Sequence, residues 1–119
     1  MKPAIHIKRA YEPHAKTDGF RVLVDRLWPR GVKKEDAAVE EWAKELAPSN
    51  ELRKWFGHDP ERWKEFQQKY KAELKNNPAV DSFINAHRHE KTITLVYSAK
   101  DEVHNQAVVL QEYLSHLFK

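Results

Sequence analysis

Apolar positions along this 119-residue chain change period several times. In AIHIKRAY they alternate, Ile5 and Ile7 against His6 and Lys8, which predicts a half-exposed strand. EPHAKTDG supplies Pro13, Asp18 and Gly19 and predicts a turn or loop. FRVLVDRLW is then apolar at Val22, Leu23 and Val24 in succession, as in a strand covered on both faces. Pro29 and Gly31 end it. From Lys34 to Leu46, the spacing of Val39, Trp42 and Leu46 (i, i+3, i+7) predicts one helical face, ended by Pro48. Ser49 is placed to cap a short helix carrying Leu52, Trp55 and Phe56, which Gly57 closes. Asp59-Pro60 and Asn77-Pro78 each set a capping side chain before a proline at the first helical position. The stripes that follow are Trp63, Phe66, Tyr70 and Leu74, then Val80, Phe83, Ile84 and His87. TITLVYSA reads as a third strand, apolar at nearly every position. After a polar loop from Lys100 to Asn105, Ala107, Leu110, Leu114 and Leu117 mark a last amphipathic helix.

Two doubly buried strands separated by a long helical segment imply a parallel crossover, which needs helices packed on the sheet. The expected class is therefore α/β: a small, mostly parallel sheet flanked by helices, in two or three layers. Length allows one compact domain over residues 1–119 and no second core. A short additional strand can still be accommodated in the loops, and strand order is not fixed by the pattern.

Composition narrows the chemistry. Apolar residues make up 40% and charged residues of both signs 33%, the balance of a folded core under a solvated surface. The absence of cysteine excludes a disulfide scaffold, a thiolate zinc site and a cysteine nucleophile. MKPAIHIKRAY lacks the apolar stretch of a signal peptide and no run reaches membrane-spanning length, so a cytosolic protein without membrane contact is expected. A net charge of +3 permits an anionic or nucleic-acid partner without arguing for either.

Ligands of open α/β sheets bind beyond the carboxyl ends of the strands. Here RVLVDRLWPRG delivers Asp25, Arg26 and Arg30 to one such end, and SAKDEVHNQ delivers Lys100, Asp101, His104 and Asn105 to another, at the opening of a helix. A helix start is an anion site, and arginine forks bind two oxygens at once. The expectation is a site for a small phosphorylated or carboxylated ligand. Arg26 and Arg30 would grip the anion, helped by Lys100 and by the helix start from Asp101 to Asn105. Asp25 would orient Arg26, and His104 would carry a proton if a reaction follows. Two plainer readings stand beside it. The charges can serve as ion pairs tying helices to the sheet, or Trp28, Arg30, Lys33 and Lys34 can belong to a nucleic-acid or protein interaction surface. No cofactor motif is present, and no metal is expected: His87 and His89, two apart, fall on different faces of a helix, and no H-E-x-x-H occurs. Ser98 lacks the G-x-S-x-G context of a nucleophile.

GFRVLVDRLWPRGVKKE, WFGHDPERWKEF and TLVYSAKDEVHNQAVVLQEYL, in this order and spacing, resemble the YeaO-like family of small bacterial proteins, a branch of domain of unknown function 488. The similarity runs from about Ile5 to Leu117. It implies no particular reaction, because the family is known by its sequence and not by an established activity. The wider group carries an aspartate-x-arginine motif at the end of its early strand and a cysteine-histidine-arginine motif after its last one. In this chain Asp25 and Arg26 are adjacent, and Val103, His104 and Asn105 stand at the second motif, so the thiol and that arginine are missing.

Overall fold

A computed structural model describes residues 2–118. Four strands, β1 (Ala4–Arg9), β2 (Phe20–Leu23), β3 (Glu41–Trp42) and β4 (Thr92–Tyr97), form one sheet in the order β1-β4-β2-β3, with every neighbouring pair parallel. Among the described residues five α-helices accompany them: α1 (Lys34–Ala37), α2 (Asn50–Phe56), α3 (Trp63–Lys75), α4 (Pro78–His87) and α5 (Gln106–Leu117). The chain is thus α/β, as its pattern predicts. Among the described residues no helix is long and apolar enough to cross a membrane.

The predicted caps act as such. Ser49 Oγ accepts from Leu52 N, Asp59 from Glu61 N, and Asn77 from Ala79 N. Gly57, left-handed at φ 53°, closes α2. Alternation divides the sheet into two unequal faces. Val22, Val24, Ile93, Leu95 and Tyr97 join the buried residues of α2 to α5 in one large core. Leu23 and Val96 point the other way, into a small cluster with Ala10, Trp28, Val39 and Trp42.

One predicted helix does not form. Between Lys34 and Leu46, α1 stops at Ala37, Ala38 adopts left-handed φ 47° and ψ 39°, and Glu41–Trp42 pairs with Val22 and Leu23 as β3. The apparent helical face is split by the sheet: Val39 and Trp42 belong to the small cluster, whereas Leu46 belongs to the large core. The polar loop from Lys100 to Asn105 does lead into α5, which begins at Gln106, but Leu117 on its predicted stripe stays 38% exposed.

The connection from β1 to β2 must carry the chain back across β4, and it contains only a 3-10 turn (Lys16–Asp18). Polar pinning substitutes for helix packing there. Asp18, 8% exposed, accepts from Lys8 Nζ of β1 at 3.1 Å and from Arg21 Nη1 of β2 at 2.5 Å, while its main-chain oxygen accepts from Thr94 Oγ1 of β4 at 2.6 Å. Arg21, 1% exposed, also donates to Ala37 O at 2.8 Å. Gly19 then has no room for a side chain, since a Cβ would sit 2.4 Å from Thr92 O at φ 65°. The free edge of β1 is blunted by the chain itself. Ala4 N and Ala10 N face β4, so the odd-numbered residues face outward; there Ile5 O accepts from Gln111 Nε2 and Arg9 N donates to Glu12.

Burial alone would raise the Asp18 carboxyl, but bonds from Ala15 N, Lys8 and Arg21 outweigh it and hold it below the ordinary 3.8. A depressed carboxylate stabilises the fold above its unfolded value, and that contribution is lost as pH falls through the folded one. Asp18→Ala leaves Arg21 buried without its counter-charge and should cost about 3–5 kcal/mol in urea unfolding at pH 7. Below pH 3.8 the gap between variant and wild type should narrow.

Candidate functional site

Beyond Leu23, one further sheet bond (Val24 N to Val96 O, 3.0 Å) holds the chain before it leaves the sheet at Asp25. The Asp25 carboxylate closes the carboxyl edge. Oδ2 accepts from Ser98 N at 2.9 Å, just past β4, and Oδ1 from the Gln106 amide, at the first residue of α5. Its main-chain oxygen accepts from Trp42 Nε1 at 2.8 Å. Burial pushes this carboxyl up, and the bonds from Ser98 and Gln106 and the nearby His58 offset it only in part.

Arg26 turns elsewhere. Its Nε donates to Pro48 O at 3.0 Å and its Nη2 to Ala47 O at 3.2 Å. Asp25 and Arg26 therefore bond to different partners, and Asp25 does not orient Arg26 as the sequence suggested. The carbonyls that hold Arg26 are themselves fixed by α3. Tyr70, fully buried, donates its hydroxyl to Leu46 O at 2.5 Å, and Glu73 accepts from Ser49 N and Oγ at 2.9 and 2.6 Å. Nη1 of Arg26 has no partner among the described residues.

A cleft of about 510 Å³ opens at this edge, between the chain after β2, the end of β4, α2 and the first turn of α5. Of the residues singled out in the sequence, Asp25, Arg26, Arg30 and Asn105 line it. Asn105 is spent structurally: its Oδ1 caps α5 at Val108 N and its Nδ2 donates to Asp101 O. Lys100 is exposed and does not line the cleft, and neither do Asp101 and His104. Those two form a closed turn in which Asp101 accepts from Val103 N, His104 N and His104 Nδ1, each at 2.9 Å. The main-chain bonds from His104 and Val103, then the side-chain one, lower Asp101 to about 2. The other face of the His104 environment is Trp63, edge-on at 5.3 Å.

Several lining residues escaped the sequence reading: Tyr11, Arg53 of α2, His58 and Gln106. His58 follows Gly57 and shares its left-handed backbone at φ 58°, uncommon for a non-glycine residue. The others sit on unrelated elements and show no pattern until the chain folds. Phe56 and Phe66, stacked at 4.2 Å, form part of the cleft wall. Trp28 is packed edge-on against Trp42, with its Nε1 on Val32 O at 2.7 Å. Among the described residues no group of three or more histidines, aspartates or glutamates is gathered as a metal site. His87 is instead buried between Phe20 and Phe83, its Nε2 3.0 Å from Glu41 Oε1.

The family model described as the inactive DUF488-N3 subclade matches residues 4–119. The chain is 43% identical over 113 residues to Uncharacterized protein YeaO of Escherichia coli, covering 95% of this chain and 98% of that protein. It is 38% identical over 111 residues to Uncharacterized protein Mb3100c of Mycobacterium bovis and to Uncharacterized protein Rv3073c of Mycobacterium tuberculosis, 93% of each chain. No solved structure matches.

The two roles of Asp25, acceptor and reluctant anion, separate in its variants. Asp25→Ala leaves Ser98 N–H and the Gln106 amide without their acceptor and should cost about 1–3 kcal/mol. Asp25→Asn should cost less, because Gln106 can turn its amide oxygen toward the new NH₂ group. A carboxyl raised on folding destabilises the fold while ionised, and the penalty disappears as pH falls through its folded value toward 3.8. The melting temperature of Asp25→Asn relative to wild type should therefore decline as pH is lowered from 7 to 4.

Proposed function

The chain belongs to the inactive DUF488-N3 subclade, and from that premise we propose that it binds a small anion at the carboxyl edge of its sheet without converting it. Arg26 carries the reading. Two main-chain carbonyls grip one side of the guanidinium of this cleft-lining residue and leave Nη1 uncommitted, the arrangement of a donor positioned before its ligand arrives. Arg30 and Arg53 line the same cleft, against Asp25 as its one carboxylate.

Binding without conversion fits the remaining chemistry. Asp25 is occupied by Ser98 and Gln106, so it is not poised as a base. His104, the proton carrier singled out in the sequence, is held by Asp101 away from the cleft lining, and among the described residues no carboxylate bonds His58, which does line it. Val103 stands where the resemblance implies a thiol in the wider group. These features favour a protein that senses or retains a phosphorylated or carboxylated molecule.

Thermal shift with phosphate, sulfate, acetate and citrate tests the reading. A ligand at a hundredfold its Kd stabilises by about 2.7 kcal/mol, roughly 10 °C for a chain of this size. Arg26→Ala should stay folded and lose the shift, and Arg26→Lys, which keeps the charge but not the fork, should lose most of it. An unchanged shift in both variants would move the site elsewhere. No shift in wild type, with affinity for nucleic acid that falls steeply with salt, would support the interaction-surface reading instead.

A further inference from the structure

The anion-binding reading leaves most of the cleft unexplained. A volume of about 510 Å³ exceeds what a bare phosphate or acetate fills and falls in the range of sites for drug-sized ligands. Tyr11 on its rim is the feature that specifies more. Its surface is 49% exposed, yet the side chain is held in place. The hydroxyl donates to Arg30 O at 2.9 Å, and the Arg9 guanidinium lies 4.9 Å from the ring centroid. Arg9 is itself fastened to the end of β4, donating to Ala99 O at 2.8 Å and Ser98 O at 3.3 Å. The preceding residue is tied to the sheet through Ala10 N and Tyr97 O at 2.7 Å.

A side chain with half its surface open ordinarily keeps much of its rotamer freedom, and ordering it costs entropy for only part of the return that full burial gives. A ring fixed at the mouth of a cationic cleft, with a cation behind one face, is suited to stack a planar group on the other. Its tie to Arg30 O couples the ring to the loop that carries the Arg30 guanidinium. Leu27, 61% exposed, adds apolar surface to the same cleft.

We propose that the ligand is an anion attached to a planar aromatic ring, the ring stacking on Tyr11 while the phosphate or carboxylate meets Arg26, Arg30 and Arg53. This rests on the anion-binding reading above. Isothermal titration with matched pairs tests it: benzoate against acetate, and adenosine 5′-monophosphate against ribose 5-phosphate. In wild type the ringed member of a pair should bind roughly tenfold tighter, the worth of one stacking contact. Whichever pair shows the preference identifies the carboxylate or the phosphate source. Tyr11→Ala should abolish the preference, while Tyr11→Phe should retain most of it. Equal affinities within both pairs, or a preference that survives Tyr11→Ala, would overturn the inference and leave the role of Arg26 standing. Failure of every member to bind wild type would overturn the anion reading and this inference with it.

Discussion

The sheet depends on two aspartates that bracket β2, and the contrast between them shows what each end of the strand is for. Asp18 and Asp25 are the same residue, both drawn into the protein, yet their carboxyls shift in opposite directions. Burial pushes both up. At Asp18 the push is overcome by Lys8 and Arg21 as well as a main-chain donor, so the group is a committed anion. Asp25 meets neutral amides at Ser98 and Gln106 and pays for its ionisation. The amino end of β2 is therefore locked by charge, which lets the return from β1 cross β4 without a helix. The carboxyl end is joined by hydrogen bonds that gather β4, α5 and β3 while adding no strong counter-charge to the cleft.

Much of this fold was legible because its signals are local. A capping oxygen followed by proline needs only neighbouring residues to act, and Asp59 and Asn77 do act as caps. Doubly apolar strands likewise announce themselves. The failure between Lys34 and Leu46 has a long-range cause. Val39 and Trp42 are spaced for a helix, but edge pairing with β2 and burial against Leu23 and Val96 outweigh a weak local preference. Asp18 and Arg21 were equally unreadable as a pair. On a sequence they are a turn residue and a polar residue in a strand, and only the crossing of β4 brings Lys8 and Thr94 to them.

The candidate site divides in the same way. The rule that ligands sit beyond strand carboxyl ends led to the edge where the cleft lies, and to Asp25, Arg26 and Arg30 on its lining. It could not tell which polar residues there were already used. Asn105 is consumed by capping α5, and Asp101 and His104 satisfy each other in the turn before it. Nor could it supply Arg53 or Tyr11, which arrive from α2 and from the loop after β1. Proximity to a strand end says where a side chain starts. Its hydrogen bonds decide whether anything is left for a ligand.

That distinction separates the arginines of this protein. Arg21 meets Asp18 and is neutralised inside the fold, where its charge serves the crossover. Arg9 and Arg26 are also held by two bonds each, but every acceptor is a main-chain carbonyl: Ala99 and Ser98 for one, Pro48 and Ala47 for the other. A carbonyl fixes a guanidinium without cancelling its charge. Had the chain needed these residues only to tie helices to the sheet, carboxylates would have served better, as Asp18 does. Arg9 packs on the half-exposed Tyr11 and Arg26 lines the cleft, both anchored and both left cationic. The pattern of acceptors, more than the number of positive charges, is what distinguishes this edge from the crossover at Asp18.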